Sequence, residues 1–100
     1  MPVFRTKKEA FQWLSTGQKT IDVRRGSGFR GETAVYLSGR SVLRFRIVQR
    51  ETGLLREIVR QDNYMLIIPS ASSVDEAVAY LCGLYGGREG VFTAYYVATF

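Results

Sequence analysis

Lys19, Asp22 and Arg24 lie within one short run, Lys19-Thr20-Ile21-Asp22-Val23-Arg24, just after Gly17. An ammonium, a carboxylate and a guanidinium so spaced can move a proton, accept from a donor and grip an anion. In a strand of period two, Asp22 and Arg24 share one face while Ile21 and Val23 take the other. An acid and a base then sit side by side over a groove, and the strand behind them anchors in the core. A lysine in such a low-dielectric cleft has a depressed pKa and activates a nucleophile or water, or contacts phosphate. The competing reading is an exposed turn lysine. Asp22 has three open roles: orienting Lys19, accepting from a base edge or water, or pairing with Arg24. Arg24 offers a bidentate contact to phosphate or a base edge.

Other chemistries are closed off by composition. The chain has no histidine and one cysteine, Cys82. Ser-His-Asp and Cys-His catalysis, histidine-ligated zinc, a cysteine metal cluster and an internal disulfide are therefore excluded. An enzyme on this chain would work with lysine, carboxylates or hydroxyls, and neither a metal nor a cofactor is expected. At 100 residues and 46% hydrophobic composition, residues 1–100 form one domain around one core. No apolar stretch approaches the roughly 20 residues that span a bilayer, and the N-terminus lacks an apolar signal region. A soluble, cytoplasmic protein without membrane attachment is the expectation.

The net charge of +5 is concentrated. Between Arg24 and Arg60 stand nine arginines (24, 25, 30, 40, 44, 46, 50, 56, 60) against the acids Glu32, Glu51 and Glu57. Arginine matches phosphate geometry and stacks on bases, so this third of the chain suits a nucleic-acid face; a solvated basic surface is the plainer alternative.

The elements that must position these residues are legible from their ends. Thr6 and Glu9 form a capping-box pattern, Ala10, Phe11, Trp13 and Leu14 make one stripe, and Gly17 supplies a stop. A helix from about Lys7 to Thr16 follows, then a strand from Lys19 to Arg24. Arg25-Gly26-Ser27-Gly28-Phe29-Arg30-Gly31 is a flexible basic loop that formally matches GxGxxG. That pattern needs a following helix, whereas Thr33 to Leu37 is β-branched and aromatic, a strand, so a dinucleotide site is dropped. Ser38-Gly39-Arg40 turns into a partner strand, Ser41 to Gln49, with Arg44 and Arg46 opposite a core face. Leu54 to Arg60 reads as a short helix, Tyr64 to Ile68 as a compact apolar segment, and Ser73 to Glu76 as a second capping box opening a helix that stops at Gly86. Val91 to Thr99 is the last strand. Short connections without regular strand-helix alternation point to a small mixed sheet curled into a partly closed barrel, with helices packed on it or plugging one end.

Gly17-x-Lys19-x-x-Asp22-x-Arg24 after an amphipathic helix, followed by Arg30-Gly31-Glu32, resembles the ASCH domain, a relative of the PUA fold. Tyr64 to Pro69, Ser73-x-x-Glu76-Ala77, Leu84-Tyr85 and Gly90-Val91-Phe92 also resemble small single-domain members. The resemblance implies an α+β protein: a PUA-like small β-barrel of mixed, mostly antiparallel strands with two to three packed helices. It further implies a cleft lined by Lys19, Asp22 and Arg24. Members are generally inferred to bind RNA or other nucleic acids, and some small bacterial ones hydrolyse the amide of acetylated cytidine with a lysine, a threonine and a glutamate. Lys19 matches that lysine and Glu76 the glutamate; Asp22 stands where the threonine would be.

Three functions follow as expectations. The first is an RNA- or modified-nucleoside-binding module using Lys19, Arg24, Arg25, Arg30, Arg44 and Arg46. The second is an amidohydrolase of acylated nucleosides using Lys19, Asp22 and Glu76. The third is an adaptor for an acidic protein. Glu76 also has a purely structural reading, as N3 of its capping box. Trp13 and Phe11 are expected in the core, Cys82 buried and inert, and only one of Tyr95 and Tyr96 facing inward.

Overall fold

A computed structural model describes residues 1–100. Nine elements follow in order: β1 (Val3–Arg5), α1 (Lys8–Ser15), β2 (Ile21–Arg25), β3 (Thr33–Ser38), β4 (Ser41–Gly53), α2 (Leu55–Ile58), α3 (Tyr64–Ile67), α4 (Val74–Tyr85) and β5 (Phe92–Ala98). The strands form one five-stranded sheet in the order β1-β3-β4-β5-β2, parallel only where β1 meets β3. The fold is thus the expected α+β arrangement, a mixed sheet curled into a half-barrel.

Period-two alternation divides the strands between two apolar clusters. Tyr95 and Val97 of β5 join Ala34, Tyr36, Phe45 and Ile47 inside the curl, together with Phe4 of β1 and Leu14 of α1. Phe92 and Ala94 face the other way, with Ile21 and Val23 of β2, against Leu55, Ile58, Ile67, Val78 and Leu81 of the helices. One helix serves both clusters: Leu14 enters the barrel while Trp13 packs with the outer layer. Both faces of the sheet are therefore covered, and the single core expected from chain length is two.

Several local expectations are corrected. The Thr6/Glu9 capping box does not form; α1 starts after Lys7 with no side-chain cap. Thr6 Oγ1 instead bonds to the Phe4 carbonyl, and Glu9 accepts from Tyr80 Oη at 3.3 Å. The second capping box is real, with Ser73 Oγ accepting from Glu76 N–H at 3.1 Å, and Gly86 ends α4 in the left-handed region at φ 77°. Helices number four rather than two to three, because Tyr64 to Ile68 closes a helical turn of its own and the Leu54 to Arg60 helix stops at Ile58. Arg60 lies beyond it and pairs with Glu51 at 2.7 Å. β1 adds to the expected elements; a three-residue strand carries too little alternation to show in the sequence.

Candidate functional site

β2 is an edge strand, and its free edge is where the site is built. Thr20 carbonyl accepts from Val97 N–H and Gly26 N–H donates to Val91 carbonyl, so even-numbered residues of this run face β5. By the alternation of an antiparallel ladder, the carbonyls of Ile21 and Val23 point to the open edge. Side chains satisfy both: Lys19 Nζ donates to Ile21 O at 2.8 Å, and Tyr85 Oη donates to Val23 O at 2.8 Å. An edge so occupied cannot recruit another strand, and a lysine and a tyrosine are thereby fixed over it.

Lys19 precedes β2 rather than lying in it and is 4% exposed. Its ammonium also donates to Ile67 O at 2.5 Å and stands 4.0 Å from Asp22 Oδ1. Burial pulls its pKa down to about 8; the Asp22 carboxylate opposes that shift and Arg24 adds to it. Asp22 is likewise buried, and its Oδ2 accepts from Arg24 Nε at 2.7 Å. Arg24 spends two further donors on Arg5 O, at 3.0 Å, and Thr6 Oγ1, at 3.3 Å, and its guanidinium lies 4.6 Å above the Phe4 ring. Burial lowers the Arg24 pKa, but the Asp22 charge and hydrogen bond outweigh it, so the group stays cationic.

Asp22 and Arg24 share the inner face of β2, opposite Tyr95 and Thr93, as period two requires. Beside the Asp22 carboxylate is the hydroxyl of Tyr36, fully buried and without a hydrogen bond of ordinary geometry. Burial first, and then the neighbouring carboxylate, drive its pKa far above the phenol range. An unpaired buried hydroxyl costs roughly 1–3 kcal/mol. Asp22 Oδ1 accepts no hydrogen bond either.

Lys19, Asp22 and Arg24 floor a cavity of about 260 Å³ between α1, β2 and α4. Its walls are Trp13, Tyr80, Leu81, Leu84 and Tyr85, with Arg5, Thr6 and Lys7 at the mouth. Trp13 and Tyr80 meet in a tilted contact at 6.1 Å. The volume falls just below the roughly 300–1,000 Å³ of drug-sized ligand sites and suits one small molecule.

The structure brings Lys19, Asp22 and Arg24 together and leaves the other expected site residues elsewhere. Glu76 does not line the cavity; it is exposed, and its Oε1 accepts from Ser72 N–H at 3.2 Å, the structural half of its expected duty. Arg25 donates to the carbonyls of Tyr85, Gly87 and Glu89, clamping the end of α4, and its guanidinium lies over Phe92 at 4.7 Å. Arg30 is exposed on the loop after β2. Arg44 borders a separate hollow beside Leu14 and Val97, and Arg46 lies 5.5 Å from the Phe100 ring; neither reaches the cleft. Cys82 is half-buried rather than buried. Tyr95 is the inward tyrosine, and Tyr96 donates to Glu51 while accepting from Arg60. Sequence reasoning missed Tyr80, Tyr85 and Thr6 as site residues. The α4 tyrosines, five residues apart, carry no signal of their own until the helix is docked. No group of three His, Cys, Asp or Glu side chains converges to hold a metal.

No protein-family profile and no curated sequence matches the chain. Solved structures do match its fold. Hypothetical protein PH0355 superposes with a TM-score of 0.79 at 12% identity, covering 98% of this chain and 97% of that one. ZmASCH from Zymomonas mobilis, in a serine-to-alanine mutant form, superposes with a TM-score of 0.67 at 16% identity, covering 96% of this chain. The chain spans 66% of the length of that ASCH protein. The fold is shared with PH0355 and with that ASCH protein, the kind of fold that the early motif implies. No helix is long and apolar enough to cross a membrane.

Proposed function

We propose that the cavity binds a nucleobase, presented as a nucleoside or within single-stranded RNA, and that Asp22 and Arg24 read its edge. The observation that carries this is the 2.7 Å Asp22–Arg24 pair on the cavity floor with capacity left on both partners. Asp22 Oδ1 is an unused acceptor, and Arg24 uses three of its five N–H donors within the protein. An acceptor beside donors complements an adjacent N–H and C=O, the edge that uracil and guanine display. Lys19 sets the potential of the floor, and Trp13, Tyr80 and Tyr85 give apolar walls for a flat ring.

The single tryptophan borders the cavity, so titration with free nucleosides followed by its fluorescence tests the reading directly. Saturable quenching by one or more nucleosides, weakened about tenfold in Asp22→Asn, is the expected result for loss of a charged hydrogen bond. No quenching by any nucleoside, with the protein folded, would overturn it.

Amide hydrolysis of an acylated nucleoside is a second reading, favoured by the placing of the Lys19 ammonium in the cavity lining, 4.0 Å from Asp22 Oδ1, where burial lowers its pKa toward that of a general base. With Glu76 outside the cavity, Asp22 and Thr6 are the remaining groups for water positioning. Acetate release from acetylated cytidine, lost in Lys19→Ala, would promote this reading over simple binding. Absence of release alongside nucleoside quenching would retire it.

A further inference from the structure

Beyond the cleft, the glycine-rich loop after β2 holds an aromatic ring out in solvent. Phe29 is 59% exposed, although its backbone is held on both sides. Its N–H donates to Tyr95 Oη at 2.7 Å, and its carbonyl accepts from Arg50 Nε at 3.0 Å. The residue before it, Gly28, has φ 92°, and a Cβ there would meet Thr93 Oγ1 at 3.0 Å and Tyr95 Oη at 3.2 Å. Glycine is thus required for the loop to lie flat on the barrel end. The backbone bonds fix where the residue stands, and a tilted contact with the Phe4 ring restrains the side chain while most of it stays exposed.

The ring is connected to the cleft through one intervening side chain. Phe29 touches Phe4 at 5.9 Å between centroids, and the same Phe4 lies 4.6 Å beneath the Arg24 guanidinium. These two contacts in series are short against a molecule 31 Å long. Cations flank the ring: Arg30 follows it in sequence and makes no hydrogen bond or ion pair, and Arg50 commits only Nε, leaving four N–H donors free.

We propose that Phe29 is a stacking platform for the nucleotide next to the one in the cleft, with Arg30 and Arg50 holding the connecting phosphates. This inference rests on the cleft reading and narrows it: the partner is a single-stranded nucleic acid of at least two nucleotides, and a free nucleoside fills only half of the site. An aromatic face with flanking arginines is the combination that single strands use, since every base has a π-face and every linkage a charge.

The test uses the full chain, a short single-stranded RNA of mixed sequence and free nucleosides, all followed by Trp13 fluorescence in wild type, Phe29→Ala and Phe29→Tyr. Expected is a loss of about tenfold in RNA affinity for Phe29→Ala, recovery in Phe29→Tyr, and unchanged nucleoside affinity in both. Equal RNA affinity in wild type and Phe29→Ala overturns the platform while leaving the cleft intact. Parallel loss of nucleoside binding in Phe29→Ala also overturns it, since the ring would then be shaping the cleft. If wild type binds neither nucleoside nor RNA, the cleft reading itself has failed and the platform falls with it. Capture of an acidic protein that persists in Phe29→Ala, without RNA binding, would assign the arginines to a protein partner and overturn the inference.

Discussion

Arg24 of β2 donates to the carbonyl of Arg5 in β1 across 3.0 Å, tying together the two strands that stand at opposite edges of the sheet. The half-barrel is open between these edges, and no ladder joins them. One side chain bridges the seam, while its Nε holds Asp22 and its face covers Phe4. The residue that offers donors to a ligand is also a fastener of the fold.

Arg24→Ala should therefore weaken the protein as well as the site. It leaves the Asp22 carboxylate buried with Lys19 4.0 Å away as its only cation. Removing one partner of a buried pair costs about 3 kcal/mol. Urea denaturation of wild type and variant measures this; a loss below about 0.5 kcal/mol would mean that the pair is solvated.

Lys19 makes stability depend on alkaline pH. Its pKa is about 8 in the folded chain and 10.5 ordinarily, so between these values the unfolded chain binds more protons than the native one. Stability then rises with pH across that window, because the cost of burying the ammonium is relieved as it deprotonates. Between pH 7.5 and 9.5 the gain is about 2 kcal/mol. It should be absent in Lys19→Met, which also loses baseline stability because the Ile21 and Ile67 carbonyls lose their donor. Above pH 10 tyrosine ionisation in the unfolded chain reverses the trend, since burial holds Tyr85 up at about 12. A flat profile for wild type between pH 7.5 and 9.5 would rule out a buried Lys19.

Glu76→Gln should leave nucleoside affinity and any acetate release unchanged. The carboxylate only accepts from Ser72 N–H at the start of α4, and the amide oxygen can do the same. The expected cost is about 0.5 kcal/mol, from lost interaction with the helix N-terminus. Loss of turnover without loss of stability would return Glu76 to the chemistry.

Salt dependence separates the arginines. Arg30→Ala and Arg50→Ala should each reduce the slope of log affinity against log salt for single-stranded RNA by about 0.7. Arg44→Ala and Arg46→Ala should leave it unchanged, because these side chains stand away from the cleft. Equal effects at all four positions would indicate a diffuse basic surface.

Much of the fold was legible because its signals are local. Gly86 in a left-handed cap, Ser73 bonded to Glu76 N–H, and the β3–β4 register ending at Ser38 and Ser41 each act within a few residues. The Thr6/Glu9 capping box failed where a distant partner competed: Tyr80 claimed Glu9, and Arg24 claimed Thr6. The expected alternation of β2 was correct: Asp22 and Arg24 share one face opposite Tyr95 and Thr93, while Ile21 and Val23 pack against the helices on the other.

The amino-acid sequence by itself determined the chemistry available: no histidine, one cysteine, and Lys19, Asp22 and Arg24 at a spacing that puts the acid and the guanidinium on one strand face. Tertiary structure decided which charges share a site. Tyr85 reaches Val23 across 62 positions and Lys19 reaches Ile67 across 48, while Glu76 and Arg25 are drawn to other duties and Arg44 and Arg46 stand away from the cleft. Short-range patterns are encoded by backbone geometry and side-chain alternation, which act over a few residues. The cleft is set by how α4 and α1 dock against a free strand edge whose carbonyls must find donors, and that requirement appears only once the chain has closed on itself.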